Sequence, residues 1–243
     1  MSNVFKVAII GGGNMGSIIH ELIPDSIIIT RQTFLTTLWD QYNCIVFAIK
    51  PQDFKTLSPL PFASKLIISV MASITTGQIN TITGSNQIIR CMPNTTIQVG
   101  VGMTVWCQTN QVTPDQTNWF TKLLTKKTKL LQVENDDWID KSTAISGCGP
   151  AYLLTILQIY MSAAQDLGFT PEQSKLLVEQ TYKGTLALIE NNQEDIETLK
   201  NRLATKGGIT EEALKVFEKN NLSGIWREAI QVAYQRAKDL SHS

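Results

Sequence analysis

A glycine-rich turn near the start of the chain constrains the fold most strongly. Gly11, Gly13 and Gly16 have the spacing Gly-x-Gly-x-x-Gly, and they follow the apolar, β-branched run Val7–Ile10. The next apolar residues, at helical spacing, are Ile18, Ile19, Leu22 and Ile23. A strand, such a turn and a helix together are typical of a dinucleotide-binding unit, because free N–H groups at the helix N-terminus bind the pyrophosphate. A glycine turn without a ligand is the alternative.

The residue after the second predicted strand, Ser26–Thr30, bears on the choice of cofactor. NAD-binding units usually have Asp or Glu there, about 20 residues after the glycines, to accept a hydrogen bond from the ribose 2′-hydroxyl. This chain has Arg31 instead. A guanidinium pairs well with a 2′-phosphate, although a solvated surface arginine is the alternative interpretation. We expect NADPH as the cofactor, with NADH as the second choice.

The composition excludes several kinds of partner. The 243 residues include 21 basic and 21 acidic side chains, so the chain is neutral. A neutral chain without basic clusters is not expected to bind nucleic acid or an anionic membrane. Its four cysteines show no Cys-x-x-Cys spacing and it has two histidines, so we predict no metal site. Thiols on apolar segments, without a signal-peptide core, indicate the cytoplasm.

The chain pattern predicts an α/β domain followed by helices. Further apolar runs, predicted as strands of a doubly wound parallel sheet, are Cys44–Ala48, Leu66–Val70, Ile88–Met92 and Val101–Cys107. Capping boxes at Thr113–Gln116 and Thr170–Gln173 each begin a helix. Helices are predicted at 114–124, 151–167, 171–189, 195–204, 211–220 and 223–240. We therefore expect a dinucleotide-binding domain at 1–136 and a helical domain at 137–243, with the site between them.

The segment Ser142–Gln165 contains no charged residue and could be mistaken for a membrane span. We predict that Gly147, Gly149 and Pro150 break its first third, which leaves it short of the roughly 20 apolar residues that cross a bilayer. A helix that is apolar nearly all round is instead expected to be buried between other helices or between subunits.

A second glycine turn, Thr205–Thr210, precedes a predicted helix. Its two glycines and its threonine would present free N–H groups beside a hydroxyl, which suits a small carboxylate. An ordinary helix start capped by Thr210 is the alternative. Ser146–Ala151 likewise permits a close backbone approach, with a simple packing turn as the alternative.

Taken together, these motifs resemble the pyrroline-5-carboxylate reductase family along nearly the whole chain. The matching blocks are the glycine turn at 11–16, Ala48–Gln52, Ser69–Thr75, Arg90–Thr96 with Gly100 and Gly102, Asp140–Tyr152 and Leu199–Leu214. The resemblance implies a Rossmann domain followed by an all-helical dimerisation domain. It also implies NAD(P)H-dependent reduction of 1-pyrroline-5-carboxylate to L-proline, the last step of proline biosynthesis, by a homodimer or a larger ring such as a decamer.

The resemblance also implies roles for individual residues. The pyrophosphate would be held by Ile10, Gly11, Gly12, Gly13, Asn14 and Met15. The ribose and nicotinamide end of the cofactor would be lined by Ala48, Lys50 and Ala72. The substrate would be bound by Asp136, Gly208, Ile209 and Thr210, with Thr210 as the catalytic residue. For Lys50 and Asp136, ordinary solvated side chains are the alternatives.

The chain departs from the family pattern at several positions. Cys148 replaces the usual serine, Lys206 the usual proline and Thr205 a serine, and the segment Gln32–Asn43 is short. Because Thr210 and the phosphate turn are retained, we predict a weakened or divergent enzyme rather than an inactive one. Two alternatives stay open: another small NADP-dependent reductase of an imine or a hydroxy acid, and a nucleotide-binding module without catalysis.

Overall fold

A computed structural model describes residues 5–242 of the chain. The chain forms two compact units. Of the described residues, the first unit contains 5–150 and 231–242, and the second is Ala151–Ile230.

The first unit is built on a seven-stranded sheet of order β2-β1-β3-β4-β5-β6-β7. The strands are β1 (Val7–Ile10), β2 (Ile27–Ile29), β3 (Cys44–Phe47), β4 (Leu66–Ser69), β5 (Ile88–Pro93), β6 (Gly102–Gln108) and β7 (Thr128–Gln132). Helices α1 (Asn14–Leu22), α2 (Pro51–Lys55), α3 (Thr76–Thr83) and α4 (Pro114–Leu124) join them, and α5 (Asp136–Ser142) follows β7. The predicted α/β class and doubly wound sheet are confirmed.

Both faces of the sheet are covered, which explains why its central strands are apolar throughout. Every residue of β1, β3 and β4 is buried. One face packs with Ile19, Trp106 and Phe120, whereas Phe47 and Phe54 belong to the core on the other face. Continuous apolar runs of this kind are expected where helices cover a parallel sheet on both sides.

Two features of the sheet differ from the sequence-based prediction. β6 runs antiparallel to β5, because the connection at 94–101 holds only the short 3₁₀ segment Thr95–Val99 and a parallel crossover needs a dozen or more residues. β7, which pairs with β6 in parallel, was not predicted. It lies at the sheet edge and contains Lys129 and the half-exposed Leu131, so it lacks the apolar pattern of a buried strand.

Residues 136–166 form one long helix that the sequence analysis wrongly expected to be broken. α5 passes through a π-helical turn, Thr143–Gly147, into α6 (Gly149–Asp166). The N–H of Cys148 donates to the carbonyl of Thr143 at 2.8 Å, five residues earlier. The helix thus continues through a wider, π-helical turn and then through Pro150, which has no N–H to donate.

This long helix is apolar and poorly covered by its own chain. By length and composition alone it could cross a membrane, and 6% of its most apolar window is buried. Leu154 and Ile159 are exposed. Its own chain therefore leaves this helix largely uncovered, and its burial between other helices or between subunits stays a prediction.

The remaining helices are α7 (Pro171–Glu190), α8 (Ile196–Leu203), α9 (Ile209–Lys219) and α10 (Leu222–His242). Both predicted capping boxes are confirmed. The hydroxyl of Thr113 accepts from the N–H of Gln116, while the Gln116 amide oxygen accepts from the N–H of Thr113. Thr170 and Gln173 repeat this arrangement at the start of α7.

Candidate active site

The turn between β1 and α1 needs glycine at two of its positions. Gly11 has a φ of +114°, and a Cβ there would lie 2.4 Å from the carbonyl oxygen of Ala48. A Cβ on Gly16 would lie 2.0 Å from the carbonyl oxygen of Gly11, so the helix could not pack this closely on the turn. At Gly13, by contrast, a Cβ would meet nothing within 4 Å. The first and third glycines therefore shape the turn, and the second leaves it open to a ligand.

The start of α1 fits a phosphate group. Gly13 is the N-cap residue and no side chain caps it. The first intrahelical hydrogen bond runs from the N–H of Ser17 to Gly13, so the N–H groups of Asn14, Met15 and Gly16 come before it. Amide donors at an uncapped helix start, where the helix dipole is positive, favour an anion.

The strand order brings the predicted cofactor residues to one edge of the sheet. Ile10 is paired with Ile29 of β2 on one side and with Phe47 of β3 on the other. The three parallel strands therefore end side by side, and the residues that follow them are Gly11, Thr30 and Ala48. In open α/β sheets, ligands bind at this carboxyl edge where the strand order reverses, which here is between β1 and β3. Arg31, Ala48 and Lys50 all lie there.

Ala72 follows the next strand on the same edge, between β4 and α3. Its neighbour Ser73 is buried and has a φ of +57°, which is uncommon for a residue other than glycine. Backbone of this kind is concentrated at ligand-binding sites. The structure thus places all of the predicted cofactor residues along one edge of the first unit.

A cavity of about 460 Å³ opens beside the glycine turn. It is lined by the ends of β1 and β2, by the turn containing Phe34 and Leu35, and by α2. Arg31 lies on its wall and is 91% exposed, and its Nη2 is 3.4 Å from Oδ1 of Asp53. Asp53 was not predicted from the sequence, because only the packing of α2 brings it beside Arg31, 22 positions earlier.

Asp136 holds the start of α3. Its carboxylate accepts from the N–H of Thr76 at 3.1 Å, from the Thr76 hydroxyl at 2.7 Å and from Nη1 of Arg90 at 2.8 Å. Both carboxylate oxygens are therefore engaged within the first unit. Thr76 is the first residue of α3, so an acid here also complements the helix dipole.

Arg90 is the buried centre of a network that the sequence analysis did not foresee. Its Nη2 donates to Asp140 at 2.6 Å, and the other oxygen of Asp140 accepts from the hydroxyl of Ser241 at 3.0 Å. Two carboxylates thus neutralise one fully buried guanidinium. The only sequence signal was a charged residue inside the apolar run Ile88–Met92.

Three buried thiols of the first unit, those of Cys44, Cys91 and Cys107, are poor nucleophiles. Burial raises the pKa of Cys44 and Cys91 far above the ordinary range, and burial together with the nearby charge of Asp136 raises the pKa of Cys107 to about 12. Because the thiolate is the reactive form, these cysteines are inert packing residues. Among residues 5–242, no group of three or more His, Cys, Asp or Glu could hold a metal ion.

The second glycine turn, in the other unit, needs both of its glycines. Gly207 has a φ of +72°, and a Cβ on Gly208 would lie 2.6 Å from the hydroxyl oxygen of Thr205. The N–H of Gly207 donates to the Glu211 carboxylate at 2.7 Å, and that of Gly208 donates to the carbonyl of Thr205 at 2.9 Å. These two N–H groups are therefore not free, contrary to the sequence-based expectation.

Backbone N–H groups for which the described residues supply no hydrogen-bond partner lie instead in the first turn of α9, directly after Gly208. The N-cap is Gly208, so the alternative in which Thr210 caps the helix is wrong. The first helical hydrogen bond runs from the N–H of Glu212 to the carbonyl of Gly208, which leaves the N–H groups of Ile209, Thr210 and Glu211 before it. Ile209 and Thr210 are both exposed, Ile209 by 93%. Uncapped amides beside a hydroxyl can bind a small anion, whereas the carboxylates of Glu211 and Glu212 in the same turn oppose one.

Comparisons with known proteins point to one family. The family model for pyrroline-5-carboxylate reductase dimerisation matches residues 136–240. A Vibrio alginolyticus pyrroline-5-carboxylate reductase is 31% identical over 204 residues, which cover 82% of this chain and 75% of that protein.

Solved structures agree over almost the full length. A Coxiella burnetii pyrroline-5-carboxylate reductase is 30% identical, with a TM-score of 0.83 and coverage of 98% of this chain and 99% of that one. A Plasmodium falciparum pyrroline carboxylate reductase, solved with NADP bound, is 26% identical, with a TM-score of 0.85 and coverage of 99% of both chains.

Proposed function

The chain belongs to the pyrroline-5-carboxylate reductase family, and on that basis we propose that it reduces 1-pyrroline-5-carboxylate to L-proline with NAD(P)H. One observation carries the proposal. The same chain has an open, uncapped dinucleotide turn at the carboxyl edge of its sheet and an exposed, uncapped Gly-Gly-Ile-Thr turn in its helical unit.

We assign the cofactor to the first of these turns. Residues Ile10, Gly11, Gly12, Gly13, Asn14 and Met15 would bind the pyrophosphate through backbone N–H groups. Ala48, Lys50 and Ala72 follow the neighbouring strands and would line the ribose and nicotinamide end. Arg31 at the cavity wall supports NADPH over NADH, because its guanidinium is exposed and its long ion pair with Asp53 leaves N–H donors for a 2′-phosphate.

We assign the substrate to the second turn. The N–H groups of Ile209 and Thr210 would bind its carboxylate, with Gly208 shaping the approach, and the hydroxyl of Thr210 would hydrogen-bond the ring nitrogen. Asp136 stays in the proposed substrate set. Because its carboxylate is already bound to Thr76 and Arg90, its effect on the substrate would be indirect, through the position of α3.

Few side chains take part in the proposed reaction. A reduced nicotinamide supplies hydride when it is bound, and the imine is electrophilic once its nitrogen is protonated. The C=N bond is reduced as its carbon gains hydride and its nitrogen keeps the proton. The protein's contribution is orientation: amides fix the carboxylate and Thr210 holds the nitrogen, so the imine carbon is presented in one geometry.

The exposed apolar helix α6 supports assembly. We propose a homodimer formed through the helical domain at 137–243, with larger rings such as a decamer as a further level of assembly, and a dinucleotide-binding domain at 1–136. The match of the pyrroline-5-carboxylate reductase dimerisation family to residues 136–240 supports the dimer. We propose that the enzyme is cytoplasmic, because its cysteines are free thiols, which fit a reducing compartment.

A steady-state assay tests the function. We expect NADPH oxidation that depends on 1-pyrroline-5-carboxylate and yields proline in equal amount. Tight binding of NADPH with no turnover of this imine would instead favour the non-catalytic nucleotide-binding module.

A further inference from the structure

The cavity beside the glycine turn holds two opposite charges. Arg31 and Asp53 are the only charged side chains among the described residues that line it. Arg31 follows β2, whereas Asp53 lies in the first turn of α2, shortly after β3. Their nearest atoms, Nη2 and Oδ1, are 3.4 Å apart. Since β2 and β3 flank β1, both charges lie beside the turn that we assign to the dinucleotide.

This ion pair is held weakly. The Arg31 side chain is 91% exposed and that of Asp53 is 45% exposed. At this separation and exposure, water and salt screen most of the attraction. Either group can therefore exchange its partner for a ligand atom at little cost.

The two groups recognise different forms of a ribose. A guanidinium pairs with a 2′-phosphate, while a carboxylate accepts a hydrogen bond from a 2′-hydroxyl and repels a 2′-phosphate. We propose that Asp53 is a specificity-determining residue that opposes Arg31, favouring NADH and limiting the preference for NADPH. No acid follows β2 in the sequence, but Asp53 of α2 brings one to the same cavity. The inference rests on the proposed function, because it requires a dinucleotide in this cavity.

Calorimetric titration of the full chain with NADPH and with NADH tests this role. Asp53→Asn preserves the side-chain size and removes the charge. We expect the ratio of NADPH affinity to NADH affinity to rise about three- to tenfold, the effect of removing one partly screened charge. Arg31→Ala should shift the same ratio in the opposite direction.

Asp115→Asn is the matched control. Asp115 is an exposed acid in the first turn of α4, outside the cavity lining, and its substitution removes the same charge from the chain. The ratio should stay at the wild-type value. An equal rise in this control would overturn the proposal, because it would show a general effect of net charge.

Failure of the inference can be told apart from failure of the proposed function. A ratio within about twofold of wild type in Asp53→Asn, with NADPH binding and proline formation intact, would overturn the role of Asp53 alone. A wild-type chain that binds neither dinucleotide would overturn both.

Discussion

A Cβ atom on Gly11 would lie 2.4 Å from the carbonyl oxygen of Ala48, because the glycine turn packs directly against the end of β3. The φ of +114° at Gly11 adds strain to any other residue. If the cofactor binds this turn, as we propose, its binding and the folding of the turn both depend on the close approach of Gly11 to Ala48.

We predict that Gly11→Ala lowers the free energy of unfolding by at least roughly 1–3 kcal/mol, the cost of strained backbone, and abolishes NADPH binding. Urea unfolding and calorimetry provide the measurements. Gly77→Ala in α3 is the control, since a Cβ there meets nothing closer than 3.8 Å. It should be neutral or stabilising by up to about 1 kcal/mol. Wild-type stability and NADPH affinity in Gly11→Ala would refute this account of the turn.

The sequence predicted the parts of the fold that depend on local patterns. The limits of β1 and the two capping boxes at Thr113 and Thr170 depend on residues close in the chain, and they are confirmed. The antiparallel β6 and the edge strand β7 were missed, because pairing direction and edge position depend on the whole sheet.

In the candidate site, too, the parts that are local in sequence were predicted and the contacts between distant residues were not. The glycine turns are continuous in sequence, so their positions could be read directly. The pairing of Arg31 with Asp53 and the network of Arg90, Asp136 and Asp140 join residues far apart in the chain. No local pattern marks such contacts, because the packing of helices α2 and α5 on the sheet creates them.

The pH dependence of stability should report on Asp137, which links α5 to α10. Hydrogen bonds from Lys141 and then from Tyr234 hold the pKa of Asp137 below its ordinary value of 3.8. Because the folded pKa is the lower one, this contribution to stability is present above pH 3.8 and is lost as the pH falls through the folded value.

We therefore predict that Asp137→Asn destabilises the protein near neutral pH, and that its difference from wild type shrinks as the pH falls below 3.8. Chemical unfolding across this range measures the difference. Tyr234→Phe removes one of the two donors and should show a shallower dependence. A difference that is constant with pH would show that Asp137 does not titrate in this way.

The chain should not be a monomer, because α6 leaves Leu154 and Ile159 exposed. Light scattering should give at least twice the chain mass of 27.0 kDa. Leu154→Glu would place a charge in the apolar contact and should lower the mass towards 27.0 kDa. Leu38→Glu, an exposed leucine outside residues 136–240, should have no such effect. A stable 27.0 kDa wild-type particle at micromolar concentration would contradict the prediction.

Thr210 should matter for turnover more than for folding. It is the second residue of α9 and not its N-cap, so Thr210→Ala should not incur the cost of a lost cap. If its hydroxyl binds the charged imine, the alanine variant loses roughly 1.5–3 kcal/mol of transition-state binding, about tenfold or more in kcat/KM. Thr210→Ser keeps the hydroxyl and should recover most of that loss. A folded Thr210→Ala enzyme with wild-type kcat/KM would remove Thr210 from the site.

The most direct measurement follows deuterium from cofactor to product. NADPH carrying deuterium at both hydrogens of C4 is incubated with the protein and 1-pyrroline-5-carboxylate, and the proline is analysed by mass spectrometry and NMR. The account predicts proline with one deuterium, located at C5, the former imine carbon. No proline, or proline without deuterium, would contradict it.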